Sequence, residues 1–96
     1  MNKLNQDDLK ELDLLIKEAQ NHVFNDIFHW IGAEFDNSYF VWITRAKALI
    51  GMALPIDSPD LIRINERQKP GCQDLEFPDY ARMLLGIKQY IKDHQG

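Results

Sequence analysis

YFVWITRAKALIGMAL, residues 39–54, is apolar on nearly every side of a helix and is interrupted only by Thr44, Arg45, Lys47 and Gly51. A helix with so little polar surface is expected at the centre of a small domain, where neighbours can cover it. Asn37 or Ser38 supplies an N-cap and Pro55 stops the run, which sets the element at about 38–54. Everything around it is shorter, more polar and amphipathic.

On the N-terminal side, Asn5 precedes Asp7 and Asp8, a capping residue followed by acids at the positive end of a helix dipole. Leu9, Leu12, Ile16, Ala19 and Val23 then recur at steps of three and four and make one apolar stripe. Asp7, Glu11 and Glu18 are placed opposite that stripe by the same periodicity. The stripe can run on through Ile27 and Trp30, and Asn21 could cap a second helix, so residues 6–31 read as one helix or two. On the C-terminal side, Ser58-Pro59-Asp60 is an N-cap, a first-position proline and a first-turn acid. That short helix ends before the turn Lys69-Pro70-Gly71. A second proline start at Phe77-Pro78-Asp79 opens a terminal helix whose apolar arc is Tyr80, Met83, Leu84, Ile87, Tyr90 and Ile91. The expected fold is all-α: a single domain over 1–96, with four to five helices around the central one.

Ninety-six residues hold a real core but leave roughly a third of the unfolded chain's surface exposed, which disfavours a deep, dry active site. The one cysteine, Cys72, allows no internal disulfide and suits a reducing compartment. With charges breaking every N-terminal apolar run, and with Arg45 and Lys47 inside the most apolar segment, neither a targeting peptide nor a membrane span is expected. A soluble, cytoplasmic protein follows as the expectation.

The net charge of −4 is uneven. Residues 1–36 carry eight acids (Asp7, Asp8, Glu11, Asp13, Glu18, Asp26, Glu34, Asp36) against three lysines, whereas residues 37–71 are net basic. An acidic first third repels nucleic acid and attracts basic proteins. Asp7, Glu11, Glu18, Asp26, Trp30, Glu34 and Asp36 are therefore the candidate partner-binding residues.

Three other constellations compete with that reading. His22, Asp26 and His29, at i, i+4 and i+7, would share a helix face with the geometry of a two-His-plus-carboxylate metal site, and a metal-dependent hydrolase is the enzyme alternative. The second histidine of a zincin helix and its adjacent glutamate are missing, so a solvated polar face accounts for the spacing better. Arg45, Lys47, Arg63, Arg67 and Lys69 form the only basic patch and make a small nucleic-acid-binding regulator the second alternative. Five bases over 35 residues are sparse for phosphate binding; Arg45 reads better as a paired charge at the core edge, with Arg63 and Arg67 pairing with Asp60 and Glu66. Cys72 lacks the local base or helix start that would activate a thiolate. Phe24, Phe28 and Ile31 fall at odd wheel positions, where they either complete the core or form a homodimer patch.

In size, in its acidic 1–36 segment and in its lack of catalytic signatures, the chain resembles the small acidic immunity proteins of contact-dependent-inhibition and colicin systems. The likeness extends more loosely to phage-encoded inhibitors. That resemblance implies a non-enzymatic, cofactor-free, stoichiometric inhibitor that occludes the active site of a basic toxin such as a nuclease.

Overall fold

A computed structural model describes the backbone of residues 2–25 and 37–94 and the side chains of residues 2–20 and 40–94. Four helices make up the described chain: α1 (Gln6–Asn25), α2 (Asn37–Ala53), α3 (Pro59–Arg67) and α4 (Phe77–Asp93). Among the described residues there is no strand. The fold is all-α, as the periodicity predicts.

The capping chemistry read from the sequence is largely in place. Asp8 N–H donates to Asn5 Oδ1 at 2.8 Å and Asn5 N–H donates back to Asp8 Oδ2 at 3.3 Å, a reciprocal box that starts α1. The helix is unbroken through Asn21, so Asn21 caps no second helix, and residues 26–31 lie outside the described residues. Ser58 Oγ accepts from Leu61 N–H at 3.3 Å and Pro59 begins α3. At α4, Glu76 N–H donates to Asp79 Oδ2 at 3.3 Å. Asn37 and Ser38 are both within the helix, so neither is the cap of α2. Between α3 and α4, Cys72 N–H donates to Lys69 O at 3.1 Å across Pro70 and Gly71, and Gly71 takes φ +84°. A turn with proline at its second position and a left-handed third residue needs glycine there.

The three long helices pack pairwise on one another. Leu12, Leu15, Ile16 and Ala19 of α1 meet Trp42, Ile43, Ala46, Leu49, Ile50 and Ala53 of α2 and Phe77, Tyr80, Met83, Leu84 and Ile87 of α4. Helix α3 contributes only Ile64 to this core. Trp42 is its keystone: the indole N–H donates to Leu15 O at 3.0 Å while the ring tilts against Phe77, centroids 4.9 Å apart. A buried indole N–H with a partner keeps the large apolar gain of the ring without the cost of an unmet donor. Tyr90, assigned by periodicity to the buried arc of α4, is instead exposed and stacks on His94 at 3.9 Å. The next residue, Ile91, still packs against the core, so Tyr90 is exposed because it stands at the edge of the buried arc of α4.

The chain start is tied down as well. Asn2 N–H donates to Ala53 O at 2.8 Å, and the Asn2 amide donates to Met52 O at 3.0 Å and Leu54 O at 3.4 Å. The carbonyls of Met52 and Ala53 at the end of α2, and that of Leu54 just beyond it, are thus met by a residue 50 or more positions away.

Candidate protein-docking surface

Helix α2 is the most apolar element, yet it is not covered on all sides. Its buried residues occupy one half of the helix, and on the other half stand Phe40, Val41, Thr44, Ala48, Gly51 and Met52, all exposed. Val41 is 53% exposed and Met52 48%. The expectation of a helix apolar on nearly every side being covered all round gives way to a half-buried one: the side that packs with α1 and α4 is buried, and the other is exposed. What remains is an outward arc without a single charge, on a chain in which 27% of residues are charged.

The one hydroxyl among the described side chains of the arc is satisfied within the helix. The Thr44 hydroxyl donates to Phe40 O in its own helix at 2.8 Å, so it needs no outside partner. At Gly51 an added Cβ would meet nothing within 4 Å. Glycine in a helix costs roughly 0.5–1 kcal/mol relative to alanine, and among the described residues no close approach calls for it at position 51. Thr44, Ala48 and Gly51 form a low line along the arc, with Val41 and Met52 standing at its ends.

Both edges of the arc are ion-paired. On one edge Arg45 reaches α1: its Nε donates to Glu11 Oε1 at 3.0 Å, its Nη2 bonds the same oxygen, and its Nη1 donates to Glu18 at 3.3 and 3.4 Å. The hydrogen bond to Glu11 raises the Arg45 pKa against the opposing effect of partial burial, and the charge of Glu18 adds to the rise. This edge carries two carboxylates against one guanidinium. On the other edge Lys47 Nζ donates to Asp74 Oδ2 at 2.6 Å and sits 5.6 Å from the centre of the Tyr80 ring, and the Tyr80 hydroxyl donates to Asp74 Oδ1. Partial burial pushes the Asp74 carboxyl upward, but the hydrogen bonds from Lys47, Tyr80 and Leu75 N–H outweigh it and hold the pKa below the ordinary Asp value. This second edge is neutral.

Glu11 and Glu18 therefore do not lie opposite the apolar stripe of α1. They flank it, about a quarter-turn away, where α2 presents Arg45. The residues pointing away from the core on α1 include Lys10, Leu14 and Lys17, so its solvent face is not acidic. Asp7 is exposed on the first turn, whereas Asp13 pairs with Lys88 at 3.1 Å. Asp26, Trp30, Glu34 and Asp36 lie outside the described residues.

The competing constellations fare as follows. His22 is in α1 but its side chain, like Asp26 and His29, is not among those described, and among the described residues no group of three or more His, Cys, Asp or Glu is placed to hold a metal. Of the basic patch, Arg45 and Lys47 are taken by the two edges. Arg63 reaches Asp79 of α4 at 3.5 Å rather than its neighbour Asp60, which ties α3 to α4. Cys72 is exposed in the α3–α4 loop. No described helix is long and apolar enough to cross a membrane.

Sequence reasoning took the apolar richness of 39–54 wholly as core and so missed the arc. The signal was present: Phe40, Val41, Thr44, Ala48, Gly51 and Met52 fall on one side of a wheel without any of the bulky Leu and Ile residues that fill the other. No protein-family model, curated protein or solved structure matches the chain.

Proposed function

We propose that this chain is a stoichiometric protein-binding module, and specifically an inhibitor of the immunity type that neutralises a basic toxin by covering its active site. One observation carries the reading: a domain that folds around α1, α2 and α4 leaves the other half of its most apolar helix uncharged and exposed between two satisfied ion-pair edges. Exposed contiguous apolar surface rimmed by polar groups is the mark of an interaction site. The acid surplus at the Glu11–Arg45–Glu18 edge adds steering toward a cationic partner, and the apolar arc supplies the desolvated contact that slows dissociation. No cofactor or chemistry of the chain's own is needed for such occlusion.

The test is purification of the chain from its native cells at low salt, carrying a C-terminal tag because the N-terminal arm is packed on α2. A basic protein recovered in one-to-one complex, whose toxic activity falls in proportion to the inhibitor added, is the expected result. A chain that emerges alone, at its own mass, under those conditions refutes the proposal.

A further inference from the structure

We infer that the occupant of the α2 arc is an amphipathic helix of a basic protein, laid lengthwise over Thr44, Ala48 and Gly51 with a lysine or arginine over Glu18. The inference rests on the protein-binding reading and adds the shape and chemistry of the partner's contact element.

The shape argument starts from the arc itself. From Phe40 to Met52 the exposed arc follows one face of the helix for roughly 18 Å. Adding a peptide strand requires a sheet edge, and among the described residues there is no strand; an amphipathic helix can instead lay its apolar face along the arc. A helix packs on a helix by setting ridges into grooves, with axes about 8–10 Å apart when the contact residues are small. Thr44 and Ala48, four apart, and Gly51, three further on, allow that approach, and the open space around Gly51 is filled by a neighbour's side chain. Val41 and Met52 then close over the two ends of the contact.

The charge argument selects the partner. Two carboxylates face one guanidinium at the α1 edge, and Arg45 favours Glu11, leaving Glu18 at 3.3 Å and nearly half exposed. Glu18 thus keeps acceptor capacity for a second cation, while the opposite edge is neutralised by the Lys47–Asp74 pair. An incoming helix with its basic flank on the Glu18 side meets attraction there and no repulsion on the other side. A second copy of this chain fits less well. Antiparallel two-fold packing of α2 on α2 sets one surplus-negative edge against the other, and parallel two-fold packing sets it against the neutral Lys47–Asp74 edge, so neither arrangement offers Glu18 a cation.

The experiment is a titration of the isotopically labelled full chain, followed by backbone amide resonances, with a synthetic 18-residue helix of leucine and lysine and with its leucine–glutamate counterpart. The lysine peptide should saturate with a Kd of roughly 10–100 μM and move the amides of residues 41–52 and 18. The glutamate peptide should bind at least about tenfold more weakly, and rising salt should weaken the lysine peptide. Ala48→Arg, at an exposed helical position, should keep the parent's unfolding midpoint and lose binding about tenfold or more. Glu18→Gln should weaken binding about threefold and flatten its salt dependence. Shifts confined to α1 or α4, equal binding of the two peptides, or an unchanged Glu18→Gln variant would overturn the inference. So would α2 resonances that move with protein concentration alone, since the second copy would then be the occupant. If the native partner binds the parent and Ala48→Arg equally, protein binding stands and this assignment falls. If the peptide maps to α2 but no native partner exists, the docking face stands and the inhibitor reading falls.

Discussion

Reversing Glu11 to lysine is the sharpest test of the α1–α2 junction, because periodicity alone places Glu11 on a free face where the change would be tolerated. In the folded chain one Glu11 oxygen accepts from both Nε and Nη2 of Arg45, whose side chain is 31% exposed. A charge-assisted hydrogen bond contributes about 1.5–3 kcal/mol where water is excluded, and at this exposure solvent screening reduces the pair to about 1 kcal/mol. Lysine at position 11 removes that pair and sets a second cation near Arg45; at about 4 Å the repulsion is ~1 kcal/mol in a water-like medium and ~4 kcal/mol at an effective dielectric of 20, less whatever the new side chain escapes by swinging outward. Glu11→Lys should therefore cost about 2–3 kcal/mol and lower the unfolding midpoint by about 10–20 °C, given ~4–8 °C per kcal/mol for a domain of this size. Glu11→Gln should cost about 1 kcal/mol. Urea unfolding of Glu11→Lys, Arg45→Met and the double variant closes a cycle in which most of the penalty disappears once Arg45 is gone. An equal cost in both backgrounds, or a midpoint within about 1 °C of the parent, would show that Arg45 and Glu11 are not coupled in solution.

Three further changes probe the core and its two latches. Ile50 is fully buried, so Ile50→Asp should abolish cooperative unfolding: an unpaired buried carboxylate costs several kcal/mol, comparable to the whole stability of a small domain. Asp74→Asn should cost about 1–2 kcal/mol, because it removes the charged partner of Lys47 and weakens that of the buried Tyr80 ring's hydroxyl. Since the folded-state pKa of Asp74 is depressed, its contribution is fully present above the unfolded pKa of about 3.9 and is lost as pH falls through the lower folded value. Acid titration of the unfolding midpoint should accordingly lose less in Asp74→Asn than in the parent; identical acid profiles would remove Asp74 from the account. Asn2→Ala should cost about 1 kcal/mol by exposing the last carbonyls of α2, seen as faster amide exchange in residues 2–5, and unchanged exchange there would mean the clamp is not formed.

The local code was legible in the sequence because each signal acts over one turn. Asn5 with Asp8, Ser58 with Leu61 and Asp79 with Glu76 each place a side chain within reach of a backbone N–H three residues away, and Pro70-Gly71 lets Cys72 N–H reach the Lys69 carbonyl, so spacing alone determines them. Periodicity likewise fixed the all-α class and the buried arc from Tyr80 to Ile87. On α2 the wheel separates a side filled with bulky Leu, Ile and Trp from one of small and mixed residues, but apolar content alone reads both as core; the packing of α1 and α4 against the bulky side left the other exposed. Nor could periodicity place the charges. Glu11 met Arg45 across 34 positions, Lys47 met Asp74 across 27 and Asn2 met Met52 across 50. Contacts at such separations depend on how helices cross in space, which composition and spacing do not encode, and they left the uncharged arc of α2 bordered by one acidic and one neutral edge.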